Sequence, residues 1–213
     1  MKTDDLVSML ASQVAPVARG AATHRLVLAL MVGVPLSATF MAIAFGVRHD
    51  LLEALFLPMF WVKVIFPLAV AAAGFVAVQR LARPGVRVGG AFPAILAPVL
   101  AVWVLATIAW VAAPADARAA MLWGQTWRAC VISIFVLALP VFVGAMCALK
   151  GLAPTRPRLA GAAAGALAGG AGAAVYALHC PELTAPFLAV WYVSGMTLPV
   201  VVGALLGPRF LRW

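Results

Sequence analysis

The chain has 213 residues, 66% hydrophobic and 10% charged, and its 15 Lys and Arg against 6 Asp and Glu give a net charge of +9. A soluble globular domain carries about 25% charged residues, so a chain with a mean hydropathy of +1.10 cannot cover itself for water and reads as one helical membrane bundle. Its basic residues stand singly or in pairs beside apolar runs, where orientation signals belong, which argues against direct nucleic-acid binding.

Residues 1–25 form a polar to amphipathic segment. Thr3 or Asp4 suits a helix N-cap, and Asp4 and Asp5 favour the positive end of the helix dipole. Leu6, Met9, Leu10 and Val14 then fall on one face at helical spacing, and Pro16 and Gly20 end a helix of about three turns. The helix either lies on the bilayer or docks a soluble partner. Its acidic tip favours docking, because a membrane-lying helix more often carries Lys and Arg on its polar face. The apolar run that follows is too long for the core of a cleavable signal peptide, so none is expected.

Six apolar runs follow, at 26–45, 57–78, 91–112, 130–149, 159–178 and 183–206. About 20 residues at 1.5 Å per residue cross a hydrocarbon core of about 30 Å. Backbone groups have no water to bond there, so helices are the form to expect. The expected fold is all-α: a polytopic bundle of six transmembrane helices over 26–206, with a short N-terminal amphipathic helix in 1–25 and a tail at 207–213.

Charge sets the orientation. With a cytoplasmic N-terminus, eleven of the fifteen basic residues (Lys2, Arg19, Arg25, Arg80, Arg83, Arg87, Lys150, Arg156, Arg158, Arg209, Arg212) lie inside, and only Arg48, Arg118 and Arg128 lie outside. Asp50, Glu53, Asp116 and Glu182 also fall outside. This asymmetry puts both termini on the cytoplasmic side. Trp61, Trp110, Trp123 and Trp127 near the outer ends and Trp213 near an inner one fit an aromatic belt. In the fifth run Gly161, Gly165 and Gly169 recur every fourth residue, a face that lets another backbone come close. Tight packing within one bundle explains it better than dimerisation.

Chemistry is sparse. Cys130 begins the fourth run and Cys180 lies in the outer loop between the fifth and sixth, so both face one side. Cys147 is about 25 Å along the helix from Cys130 and reads as a buried, inert core cysteine. Three readings stand for the outer pair: a structural disulfide, a redox switch, or a site for a transient soft metal ion built from Cys130 and Cys180 with His179, and His49, Asp50 or Glu182 beside them. No Cys-x-x-Cys points to a zinc ribbon or a thioredoxin-like pair. Lys63 lies inside the second run, where an ammonium costs a few kcal/mol. Its default is to snorkel outward to Glu53 or Asp50; the alternative faces the bundle beneath the thiols. No Asp or Glu lies within a run, which argues against proton-coupled transport, and no catalytic motif appears.

Met-Lys-Thr-Asp-Asp-Leu at the start, Phe60-Trp61-Val62-Lys63, Trp123-Gly124 with Trp127 and Cys130, Tyr176-Ala-Leu-His-Cys-Pro-Glu182, Trp191-Tyr192 and the closing Gly-Pro-Arg-Phe-Leu-Arg-Trp213 together resemble the NrsF family. These are six-span anti-sigma factors of the bacterial inner membrane. The resemblance covers the whole chain. It implies a non-enzymatic protein that sequesters an extracytoplasmic-function sigma factor and releases it under heavy-metal or oxidative stress, with Cys130 and Cys180 matching the family's two periplasmic-side cysteines. Partner contacts would then fall on Asp4, Asp5, Leu6, Met9 and Leu10. A small exporter or channel would need a continuous polar path, and a thiol oxidoreductase a second reactive pair; neither is visible.

Overall fold

A computed structural model describes residues 3–12, 20–83, 85–86, 88–152 and 154–212. Everything regular in them is helical. Helix α1 is Thr3–Ser12, α2 Ala21–Ala44, α3 Leu51–Ala54, α4 Pro58–Leu81, α5 Ala91–Ala112, α6 Ala115–Trp123, α7 Trp127–Lys150 and α8 Pro157–Tyr176. The last, α9, is Ala185–Phe210, and its residues Leu188–Tyr192 form a single π turn. Six of these (α2, α4, α5, α7, α8 and α9) are long and apolar enough to cross a membrane. They match the six predicted runs: the third has the predicted ends, and the ends of the others move by one to five residues. The chain is a multi-pass membrane protein.

Prolines lie inside five of the six spans (Pro35, Pro67, Pro98, Pro140, Pro199 and Pro208). Spanning helices tolerate them because neighbouring groups satisfy the freed backbone carbonyls. The bundle is built around α8, against which α9, α4 and α7 all pack. Its small side chains make this possible. An added Cβ at Gly169 would lie 2.7 Å from the Met196 carbonyl oxygen of α9, and one at Gly172 would lie 2.7 Å from the Ala138 nitrogen of α7. The glycine repeat is therefore spent inside one chain, Gly161 and Gly165 meeting Gly203 and Pro199 of α9. Opposite, Gly74 of α4 closes on Leu167.

Helix α2 packs on α7, with Gly33 against Val141. The buried Ser37 hydroxyl donates across that contact to the Leu137 carbonyl at 2.7 Å. A hydroxyl that finds an acceptor on a neighbouring helix contributes about 0.6 kcal/mol to membrane helix association. Helix α5 is the outlier: it lies on α4 and on the start of α9 and presents most of its surface outward.

Two corrections belong here. Cys147, expected in the core, is exposed on the outer surface of α7, in a groove of about 400 Å³ lined by Arg25, Gly33, Pro140 and Gly144. A thiol is apolar enough to face lipid as readily as a helix interior. Lys63, expected to snorkel, is fully buried. The described part of the N-terminal segment is helical, with Asp4, Asp5, Val7 and Met9 exposed. The side chains of Leu6 and Leu10 lie outside the described residues, as do Lys2, Val14, Pro16, Arg19, Arg87 and Trp213.

Candidate functional site

At one end of the bundle the chain after α8 turns over its own last residues. The amides of His179 and Cys180 both donate to the Tyr176 carbonyl at 3.0 Å. From Cys180 to Thr184 the chain has no regular structure, and α9 then begins at Ala185 with Pro186 in its first turn. This loop, 177–184, is tied down from three directions. On the α2 side, the Arg48 amide donates to the Leu178 carbonyl at 3.1 Å. The His179 ring lies with Nδ1 2.8 Å from the Gly46 carbonyl, so Nδ1 carries the proton and donates. The ring also packs against Phe45 and Tyr176.

On the α6–α7 side, Glu182 accepts from the Gln125 amide at 2.6 Å and covers Gly124, whose φ of +52° and lack of a Cβ leave room for the carboxylate. Thr184 donates to the Met121 carbonyl at 2.7 Å, and the Trp191 indole donates to Leu122 at 2.8 Å. Trp123, Trp127 and Trp191 pack against one another over this junction, edge-to-face or tilted.

From below, Lys63 in the second turn of α4 donates to the Cys180 carbonyl at 2.5 Å and to the Glu182 carbonyl at 2.8 Å. Its amine lies 5.4 Å from the centre of the Tyr192 ring, within cation–π range. Arg48 reaches the same Cys180 carbonyl at 3.4 Å while gripping Asp50 with two bonds of 2.6 and 2.7 Å. That bidentate grip holds the Asp50 carboxyl down at about 2, the hydrogen bond being the main cause. It also raises the Arg48 guanidinium, again chiefly through the Asp50 hydrogen bond.

The two thiols belong to one buried cluster with Ile134, Tyr176, Phe187 and Tyr192. Thr126 links them: its carbonyl accepts from the Cys130 amide at 3.0 Å and its hydroxyl lies 3.8 Å from the Cys180 sulfur. Both thiols are free and fully buried. The Tyr192 hydroxyl, also buried, has no hydrogen-bond partner.

The wider ligand set is not assembled. Among the described residues no three His, Cys, Asp or Glu side chains gather as a metal site would require. His179 is turned to Gly46 and Glu182 to Gln125, while His49 is exposed. Pairing of Lys63 with Glu53 or Asp50 is likewise not formed, because Asp50 is held by Arg48 and the amine is turned inward to carbonyls. What the geometry offers is two buried thiols, one on α7 and one on a loop that polar bonds hold in place.

Arg48, Thr126 and Tyr192 were not predicted as part of this site. Arg48 and Asp50, two residues apart in an outer loop, were a legible pair. For Thr126 the sequence carries no signal, and Tyr192 is one more aromatic in an apolar run.

The model for the family described as "Negative regulator of sigma F", NrsF, matches residues 10–213. A protein of Azospira oryzae described as "Probable anti-sigma-F factor NrsF" is 46% identical over 213 residues, covering all of both chains. The "Anti-sigma-F factor NrsF" of Caulobacter vibrioides is 40% identical over 217 residues, again covering all of both. No solved structure matches significantly.

Proposed function

The chain belongs to the NrsF family, a family of regulators rather than enzymes, and from that membership we propose that it is a membrane-embedded anti-sigma-F factor whose outer thiols receive the signal. The end-to-end match at 40–46% identity to two anti-sigma-F factors carries the reading. The exporter or channel reading gains no support: the polar groups of the thiol end are bonded to one another, and the interior of α8 is alanine and glycine.

In this reading α1 captures sigma F on the cytoplasmic side, with Asp4, Asp5, Leu6, Met9 and Leu10 at the contact. Exposure of Asp4, Asp5 and Met9 supports it. So does the charge layout. Arg25, Arg80, Arg83, Lys150, Arg156, Arg158, Arg209 and Arg212 all belong to the end opposite Cys180, the arrangement the positive-inside rule requires for cytoplasmic termini. The outer end would then face an oxidising compartment, where thiol chemistry is available.

Cys130 and Cys180 are the sensing groups. Joined as a disulfide, they give two electrons and two protons to the oxidant. Bound to one soft divalent ion, they contribute two thiolates and release two protons. Either event needs the sulfurs to approach one another or the ion. That movement would favour a bundle state with lower affinity for sigma F, since a ligand shifts an equilibrium only by binding the two states unequally.

Co-purification and a sigma-F-dependent reporter test both halves. Removing residues 1–20 is expected to abolish capture of sigma F while the bundle still accumulates in the membrane; undiminished capture would exclude α1 as the docking element. Cys130→Ser and Cys180→Ser are each expected to keep repression and lose the response to oxidant and soft metal. A parental response in both refutes the sensor.

A further inference from the structure

Both thiols are fully buried, so any signal must first displace the loop that carries Cys180. Of the groups that hold that loop, Lys63 differs in kind. Its amine lies inside a membrane-spanning helix and meets no carboxylate among the described residues. It donates to two carbonyls of the loop, those of Cys180 and Glu182, and it faces the ring of Tyr192. An amine at membrane depth needs partners, and here the thiol-bearing loop supplies them. We propose that Lys63 is a clasp: it keeps the 177–184 loop seated, so that the Cys180 thiol this loop carries and the Cys130 thiol of α7 stay buried, and it links the loop to α4 and α9. The proposal rests on the reading of these thiols as the sensor.

Three features support a clasp over a merely buried lysine. The bonds go to backbone carbonyls on either side of Pro181, so they fix the path of the chain rather than one side chain. Donors to buried carbonyls are costly to lose, because no water replaces them at this depth. The third contact, Tyr192, closes the only π turn among the described residues, Leu188–Tyr192 of α9. Such single turns are frequent at functional sites. When the loop lifts, Lys63 loses both acceptors, and α4 and α9 lose the charge that held Tyr192 opposite. Lys63 is thus a positioning residue: it acts through the loop and does not touch the signal.

Thiol labelling reads the clasp directly. Native membranes carrying the full chain in a Cys147→Ser background, which removes the exposed thiol, are treated with N-ethylmaleimide, and Cys180 modification is quantified by peptide mass. The parent is expected to be protected. Lys63→Met, which keeps the apolar stem and loses the donors, is expected to label faster by on the order of tenfold or more, the loss of two charge-assisted hydrogen bonds. Lys63→Arg is expected to restore protection, which mere bulk would not. Lys63→Met protected like the parent overturns the clasp. Should Lys63→Met fail to accumulate, Lys63→Gln, with a donor for one carbonyl, is the second variant: intermediate labelling supports the clasp and parental protection overturns it. A sigma-F-dependent reporter separates the two proposals. With oxidant or soft metal added, a Lys63→Met response at a lower dose than the parent's supports both, whereas faster labelling of Cys180 with no transcriptional response at any dose leaves the clasp standing and removes the sensor.

Discussion

Helices α8 and α5 are both long, apolar and free of Asp and Glu, yet they occupy opposite environments. In the apolar stretch of α8, 83% of residues are buried inside the protein; in that of α5, 11% are. The less greasy helix is the inner one. Between a lipid tail and a leucine there is no hydrophobic preference to exploit, so helix association in a membrane rests on close packing and on hydrogen bonds that find partners. Alanine and glycine give α8 a thin profile that three helices can approach. Leu96, Leu100, Val104 and Ile108 give α5 a bulky surface that stays outside. Burial in this protein therefore follows side-chain size more than apolarity.

The comparison can be broken most forcefully at Gly165, where an added side chain meets the Pro199 backbone of α9. Gly165→Leu is expected to cost about 3 kcal/mol or more, since overpacking against backbone has no cheap relaxation. The measurement is accumulation in the membrane and denaturant unfolding in detergent. Normal stability would mean that α8 and α9 do not pack as described.

A smaller effect, of opposite sign, is expected where α8 and α9 meet the site. Tyr192 stacks near Tyr176 with ring centres 5.9 Å apart, and its hydroxyl is buried without a partner. Tyr192→Phe keeps the ring beneath Lys63 and removes the unsatisfied group. A gain of about 1 kcal/mol is expected; a loss of similar size would reveal a hydrogen bond that this structure lacks. On α5 the counterpart is Leu100→Ala, a change at a residue 62% exposed. Its expected effect is within about 0.5 kcal/mol, and a large loss would mean that α5 is covered by something other than lipid.

The smallest effect is at the loop before α3. The Asp50 carboxyl is held at about 2 by Arg48, below its range in an unfolded chain. A depressed folded value stabilises above the unfolded carboxylate range and loses its contribution as the pH falls through about 2. Across neutral and mildly acidic pH the parent and Asp50→Asn should therefore differ by a small constant amount, and the difference should close only in strong acid. Thermal unfolding against pH checks this. A difference that closes near neutrality would mean that Arg48 does not hold the carboxylate.

The reading of the polar segments shows how far sequence reaches. The tight run Tyr176 to Glu182 was visible as the one polar knot between apolar spans, and Cys130 was placed on its side by counting helix ends. That arithmetic works because span length is fixed by the bilayer. The direction of each side chain was not available. His179 and Glu182, adjacent to Cys180 in sequence, turn away from it to Gly46 and Gln125. Lys63, 117 residues earlier, is the residue that holds its carbonyl. Cys147 was misplaced for a related reason: helical periodicity says which residues share a face but not, in a membrane, which face is inside.

By itself the sequence determined that six helices form and, to within a few residues, where each lies, because a hydrocarbon solvent leaves a backbone of that length and apolarity one way to satisfy its hydrogen bonds. Its charges argued for one orientation, and its motifs pointed to the family. Only the tertiary structure decided which helix stands at the centre, which thiols are hidden and what Lys63 bonds. Those depend on distances of a few ångströms between residues far apart in the chain, where the presence or absence of a single Cβ governs how closely two backbones approach.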